Sequence, residues 1–115
     1  MGTERIAEDI FLIALQPEPR LGDELETVND MLSKKCECDV IVDFARIEML
    51  TSSSISNLLI LHNWLDGCGH RLILFNVGFA TKCIFKIAGL DKFFDFAEDK
   101  FAALKALQPV QTPDS

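Results

Sequence analysis

Between Asp39 and Leu74 the chain sets an apolar strand, a run of hydroxyls, a helix, a glycine stop and a second strand in succession. The rest of the chain supports that unit. Val40, Ile41, Val42 and Phe44 are interrupted only by Asp43, the pattern of a strand buried on both faces of a sheet, which belongs at the sheet's centre. Ala45 to Leu50 then carries the chain over the end of the sheet. Thr51, Ser52, Ser53 and Ser54 supply hydroxyls that can accept the free N–H groups of a first helical turn, so a helix is predicted to begin near Ser52. At 100° per residue, Ile55, Leu58, Leu59, Leu61, His62 and Leu65 fall on one face of it, and Ser53, Ser56, Asn57, Asn63 and Gly67 on the other. Cys68-Gly69 closes the helix, because glycine takes the left-handed conformation that helix ends favour, and Arg71 to Phe75 reads as the next strand. With no hairpin turn between them, the two strands run parallel through a right-handed crossover.

Ile60 and Trp64 break this pattern. They sit one turn apart on the otherwise polar side, next to Ser53 and Asn57, and are predicted to be exposed. Two readings fit: scattered surface apolarity, which is normal, and a partner-binding patch beside the helix N-terminus. Tryptophan is a common anchor of interfaces, which favours the patch.

The rest of the chain is sized to support this unit. A length of 115 residues fits one domain, and 49% hydrophobic content is enough for a core. Formal charge is −7, from 18 acidic residues against 11 Lys and Arg. The electrostatic attraction that nucleic acid or an anionic membrane would need is therefore missing, and a protein surface is the expected partner. No apolar run reaches the roughly 20 residues that span a bilayer. The N-terminus lacks a basic segment followed by an apolar secretory core, and Arg5 and Ile6 spoil a myristoylation signal. Both point to the cytoplasm. Cys36, Cys38, Cys68 and Cys83 form no Cys-x-x-Cys pair and have no histidine at zinc-finger spacing, so reduced thiols without a metal are expected; Cys36-Glu37-Cys38 reads as packing residues ahead of a strand rather than a redox pair. His62, on the buried helix face, and His70, in a loop, have no catalytic companion nearby. The absence of a Gly-x-Gly-x-x-Gly, of a phosphate-loop lysine and of a nucleophile beside a base predicts no catalytic residues and no cofactor.

Residues 1–8 read as a loose arm or a short edge strand, and Ile10 to Leu15 as a strand. In Gln16 to Gly22 two prolines forbid helix continuation, which predicts a loop. An amphipathic helix is expected from Asp23 to about Lys35, with Leu21, Leu25, Val28 and Leu32 on one stripe and charges arranged to suit its dipole. After an Asn76-Val77-Gly78 turn, Phe79 to Ala88 is predicted to be a helix with Ala80, Cys83, Ile84, Ile87 and Ala88 in register, ended by Gly89. Phe93 to Phe96 alternates like an edge strand guarded by Asp91, Lys92 and Asp95. Phe101, Leu104 and Leu107 are spaced to dock a last helix, with Glu98 and Asp99 in its first turn and residues 108–115 as a flexible tail.

The blocks Val40 to Leu59, Gly69 to Asn76 and Ile87 to Phe94, in that order, resemble the STAS domain family, the anti-sigma factor antagonists and their relatives. The similarity covers roughly residues 8–107. The family's Asp-Ser-Ser-Gly-Leu-Gly corner lies without gaps on Thr51 to Ser56, which puts Ser52 in the place of the phosphorylated serine, with Ser53 as second candidate. Thr51 stands where the family has an acidic residue, and Ser54 and Ser56 where it has glycines.

The resemblance implies an α/β fold: a central mixed sheet of four to five strands with four helices, in the order β(β)αβαβαβα, the helices mainly on one face. The rim would gather Pro17 to Gly22, Met49 to Ser54 and Asn76 to Phe79. It also implies a module that binds a kinase-type anti-sigma factor until Ser52 is phosphorylated; with the patch read from the helix phase, the expected partner-binding residues are Thr51, Ser53, Ser54, Asn57, Ile60 and Trp64. A second reading of Ser52 is that its hydroxyl only caps the helix. The alternative function is a scaffold subunit, bound to other STAS subunits of a stressosome-like or lipid-transport complex.

Overall fold

Strand formation follows the apolar runs. In the computed structural model, which describes residues 3–7, 9–17, 20–34, 38–48 and 50–107, the strands are β1 (Thr3–Ala7), β2 (Ile10–Ala14), β3 (Asp39–Asp43), β4 (Leu72–Phe75) and β5 (Asp95–Ala97). They lie side by side in that order, with β1 antiparallel to β2 and the rest parallel. The Val40–Val42 run is thus central. The helices are α1 (Arg20–Lys34), α2 (Ser52–Gly67), α3 (Phe79–Ile87) and α4 (Lys100–Leu107).

Alternation along the strands divides the core in two. Val40, Val42, Leu72 and Leu74 meet Leu25 and Val28 of α1, Leu58, Leu61 and Leu65 of α2, and Phe85 of α3. Ile41, Ile73 and Phe75 point the other way, against Ala103, Leu104 and Leu107 of α4. Three helices therefore share one face and α4 alone covers the other. Each crossover between neighbouring parallel strands has the same hand, so α1, α2 and α3 lie in sequence across the first face, with α1 and α3 on opposite flanks.

Several boundaries differ from the sequence reading. α1 begins at Arg20, not Asp23; prolines bar a helix from continuing through them but do not bar one from starting after them. β5 begins at Asp95, two residues later than expected, and Phe94 instead turns inward against Phe85 and His62. Asp99 lies ahead of α4, not in its first turn, and accepts the Ala102 N–H at 2.8 Å as a cap.

The faces of the last two helices are also corrected. α3 buries Thr81 and Phe85, while Ala80, Ile87 and Ala88 are exposed. The Phe85 ring meets Phe44, Phe94 and Phe96 edge-on, with centroids 5.5 to 6.2 Å apart. A short helix has few apolar contacts, so this one aromatic anchor sets its rotation. Phe101 is largely exposed and α4 docks through Ala103, Leu104 and Leu107. Lys35, Cys36, Met49 and the expected tail 108–115 lie outside the described residues, as do the side chains of Leu21 and Leu32.

Candidate functional site

The end of the sheet where the parallel strands finish gathers the loops that carry the hydroxyl corner. Asp43 closes β3, and its Oδ1 accepts the Ala45 N–H at 2.8 Å and Asn76 Nδ2 at 3.2 Å. One carboxylate thereby ties the β3–α2 connection to the β4–α3 connection. Asn76 sits at φ +56°, a left-handed conformation that asparagine tolerates better than most residues, and its N–H reaches Glu98 O at 3.3 Å. Farther along, Arg46 Nη1 approaches Gln16 Oε1 at 3.4 Å, and the Gln16 N–H donates to Glu24 Oε1 at 2.7 Å. These bonds tie the β3–α2 connection to the β4–α3 connection and to Gln16 and α1; of the expected rim, residues 18, 19 and 49 lie outside the described residues, and Arg20 to Gly22 belong to α1.

At the corner the hydroxyls divide into two pairs. Thr51, extended at φ −90° and ψ 163°, is the N-cap of α2: its Oγ1 accepts the Ser54 N–H at 3.1 Å. The Thr51 hydroxyl donates to Ser54 Oγ at 3.1 Å, and Ser54 is fully buried. Ser54 is thus a structural member of the corner and does not lie on the outer surface. Ser52 and Ser53, at the first two helical positions, are exposed. Helix geometry leaves the first-turn N–H groups beside them without carbonyl partners. The capping role expected for Ser52 in one reading is held by its neighbour.

Ser53, Asn57, Ile60 and Trp64 follow one another at four-, three- and four-residue spacing and line one side of α2. Ile60 is 44% and Trp64 40% exposed. Asn57 is half-buried at the seam with α1, where its carbonyl accepts Asn29 Nδ2 at 3.1 Å. The site is therefore a surface: two exposed hydroxyls at a positive helix end, continued by an isoleucine and an indole. Sequence reasoning missed the Asp43–Asn76 clamp. Its signals were a lone charge in an apolar strand and an asparagine heading a turn.

The opposite end of the sheet holds both histidines. His62 packs on Phe93 at 4.3 Å between centroids, and His70 Nδ1 lies 3.2 Å from Asp39 Oδ1. His62, Asp66, His70, Arg71, Leu72 and Asp95 enclose a cavity of about 80 Å³. Among the described residues no three His, Cys, Asp or Glu side chains are placed to hold a metal ion. Cys68 and Cys83 are free thiols. No described helix is long and apolar enough to cross a membrane.

No family model and no curated protein sequence matches the chain. Solved structures match over nearly its whole length. A candidate anti-sigma factor antagonist from Thermotoga maritima superposes with a TM-score of 0.79 at 13% identity, covering 91% of this chain and 92% of that one. The anti-sigma factor antagonist SpoIIAA of Bacillus, in its unphosphorylated form, gives 0.77 at 18% identity, covering 96% and 98%. A chain from the stressosome, a signal integration and transduction hub, gives 0.73 at 15% identity, covering 92% and 95%. The chain has the fold of these STAS-domain proteins.

Proposed function

We propose that this chain is a cytoplasmic regulatory module that binds a kinase-type anti-sigma factor, and that Ser52 is the switch that ends the binding. It needs no catalytic site of its own. The observation that carries this reading is the division of labour at the corner. Thr51 caps α2, which leaves the Ser52 hydroxyl exposed and uncommitted at the first helical position, one side of a helix away from Ile60 and Trp64.

Transfer of the γ-phosphoryl group of ATP to Ser52 Oγ by the bound kinase would release ADP and the hydroxyl proton. The new group adds about −1.5 to −2 charges and strong acceptor oxygens. A helix N-terminus receives such a group well, through free N–H groups and the helix dipole, so α2 stays folded. The partner, seated over Ser52, Ser53, Asn57, Ile60 and Trp64, instead meets an uncompensated dianion and leaves.

Calorimetric titration of the cognate anti-sigma factor tests this with two variants. Ser52→Ala is expected to bind like wild type and Ser52→Asp at least about tenfold more weakly, a difference of about 1.4 kcal/mol. Equal binding by both would favour the second reading, a permanent scaffold contact among STAS subunits. That reading draws on the fold shared with a stressosome chain and on Thr51, Ser54 and Ser56 at the corner.

A further inference from the structure

One helix presents a surface that the Ser52 corner does not use. Phe79 is 84% and Ile87 88% exposed, and with Cys83 between them they form an i, i+4, i+8 stripe along the outer side of α3. Lys82 and Lys86 flank the stripe and, with Asp91 and Phe96, line a cavity of about 290 Å³ beside it. Large apolar side chains this exposed in a row mark an interaction surface. α3 contains two lysines and no acidic residue, on a chain whose net charge is −7.

The complementary surface is on the same molecule, at the other flank of the helical layer. The outward side of α1 exposes Asp23, Glu26 and Asp30, with Met31 exposed among them. Asp30 pairs with Lys34 at 3.4 Å, but both side chains are more than two-thirds exposed, so that pair contributes little and can be exchanged. α2 separates α1 from α3, so one molecule cannot bring the two surfaces together.

We infer that a second copy of this chain docks its α1 on α3 of the first, with Met31 against the Phe79–Ile87 stripe and Glu26 and Asp30 facing Lys82 and Lys86. The contact joins two different surfaces, so it is head-to-tail and adds copies along a row instead of closing a two-fold dimer. Two short helices bury little area, so the association is weak and concentration-dependent. Apart from Phe79, which heads α3 at the same end of the sheet, none of these residues belongs to the rim around Ser52.

Sedimentation velocity of the full chain tests the inference. Wild type is expected to gain mass with concentration, and raising the salt to about 0.5 M, where screening shortens to a few ångströms, is expected to weaken association about tenfold. Phe79→Ser/Ile87→Ser and Glu26→Lys/Asp30→Lys are each expected to be monomeric, with circular dichroism and melting unchanged. Mixed together, they are expected to give a 1:1 dimer and nothing larger, since one intact α1 meets one intact α3. A wild type that stays monomeric up to the millimolar range overturns the inference; if it then pellets with anionic vesicles, the stripe is a membrane contact instead. An α1 variant that still self-associates also overturns it, in favour of a symmetric contact between α3 helices.

Discussion

Where the parallel strands begin, side chains are tied to backbone across three elements. Asp39 Oδ1 takes the Arg71 N–H at 2.8 Å and faces His70 at 3.2 Å. Arg71 then reaches Ala106 O in the last turn of α4 at 2.8 Å and Asp95 of β5 at 3.2 Å. Where the strands finish, one clamp, Asp43 with Asn76, holds the loops, and beyond it Ser52, Ser53 and Phe79 are exposed, while Ile60 and Trp64 carry exposed apolar surface along α2 toward the other end. At the first end Asp39, Arg71 and Asp95 are committed to the fold. The second leaves the Ser52 and Ser53 hydroxyls and the Phe79 ring to the solvent, at the end of a parallel sheet whose loops commonly carry function. If the Ser52 corner is the recognition site proposed above, stability and recognition belong to different ends, and substitutions can separate them.

The largest effect is expected between the ends, in the core that both share. Phe85→Ala should cost about 3–5 kcal/mol in a denaturant titration, since its ring touches three others and leaves a cavity. Ile87→Ser, two residues on, should stay within about 0.5 kcal/mol, confirming which side of α3 faces the sheet. At the tied end, Asp39→Ala should cost about 2 kcal/mol, because the Arg71 N–H loses its acceptor, with affinity for the partner unchanged. At the open end, Thr51→Ala should cost about 1 kcal/mol for the lost cap. Smallest of all, Ser52→Asp should move stability by less than about 0.5 kcal/mol, in the stabilising direction, since a negative charge suits a helix N-terminus. Its effect belongs to binding. A Ser52→Asp variant that unfolded would break the division between the ends.

How much of this was legible in the sequence depended on the length and redundancy of the signal. The β3–α2–β4 unit could be read because a strand run, a hydroxyl cap, three turns of apolar spacing and a glycine stop agree with one another. The exposure of Ile60 and Trp64 followed from the same phase. α3 is nine residues long, and its apolar residues occupy nearly every side, so spacing alone chose the wrong face; the choice was made by Phe85 meeting rings contributed from β3, the Phe93–Phe94 turn and β5. Phe101 failed for the same reason: α4 docks through a small residue, Ala103, where the sheet comes close. At the corner, residue types showed where hydroxyls gather but not how they share the work. Only the geometry separates Thr51 and Ser54, which satisfy each other, from Ser52 and Ser53, which face water.

A phosphoryl group on Ser52 is proposed to change the surface without changing the fold. The direct measurement is titration of the cognate anti-sigma factor into unphosphorylated protein and into protein phosphorylated at Ser52, with an amide NMR spectrum of each. With Ser52 as the switch, binding is lost on phosphorylation while resonances move only around the corner and the first turn of α2. Full affinity in the phosphorylated form, or shifts spread through the β3–β4 core, would contradict it.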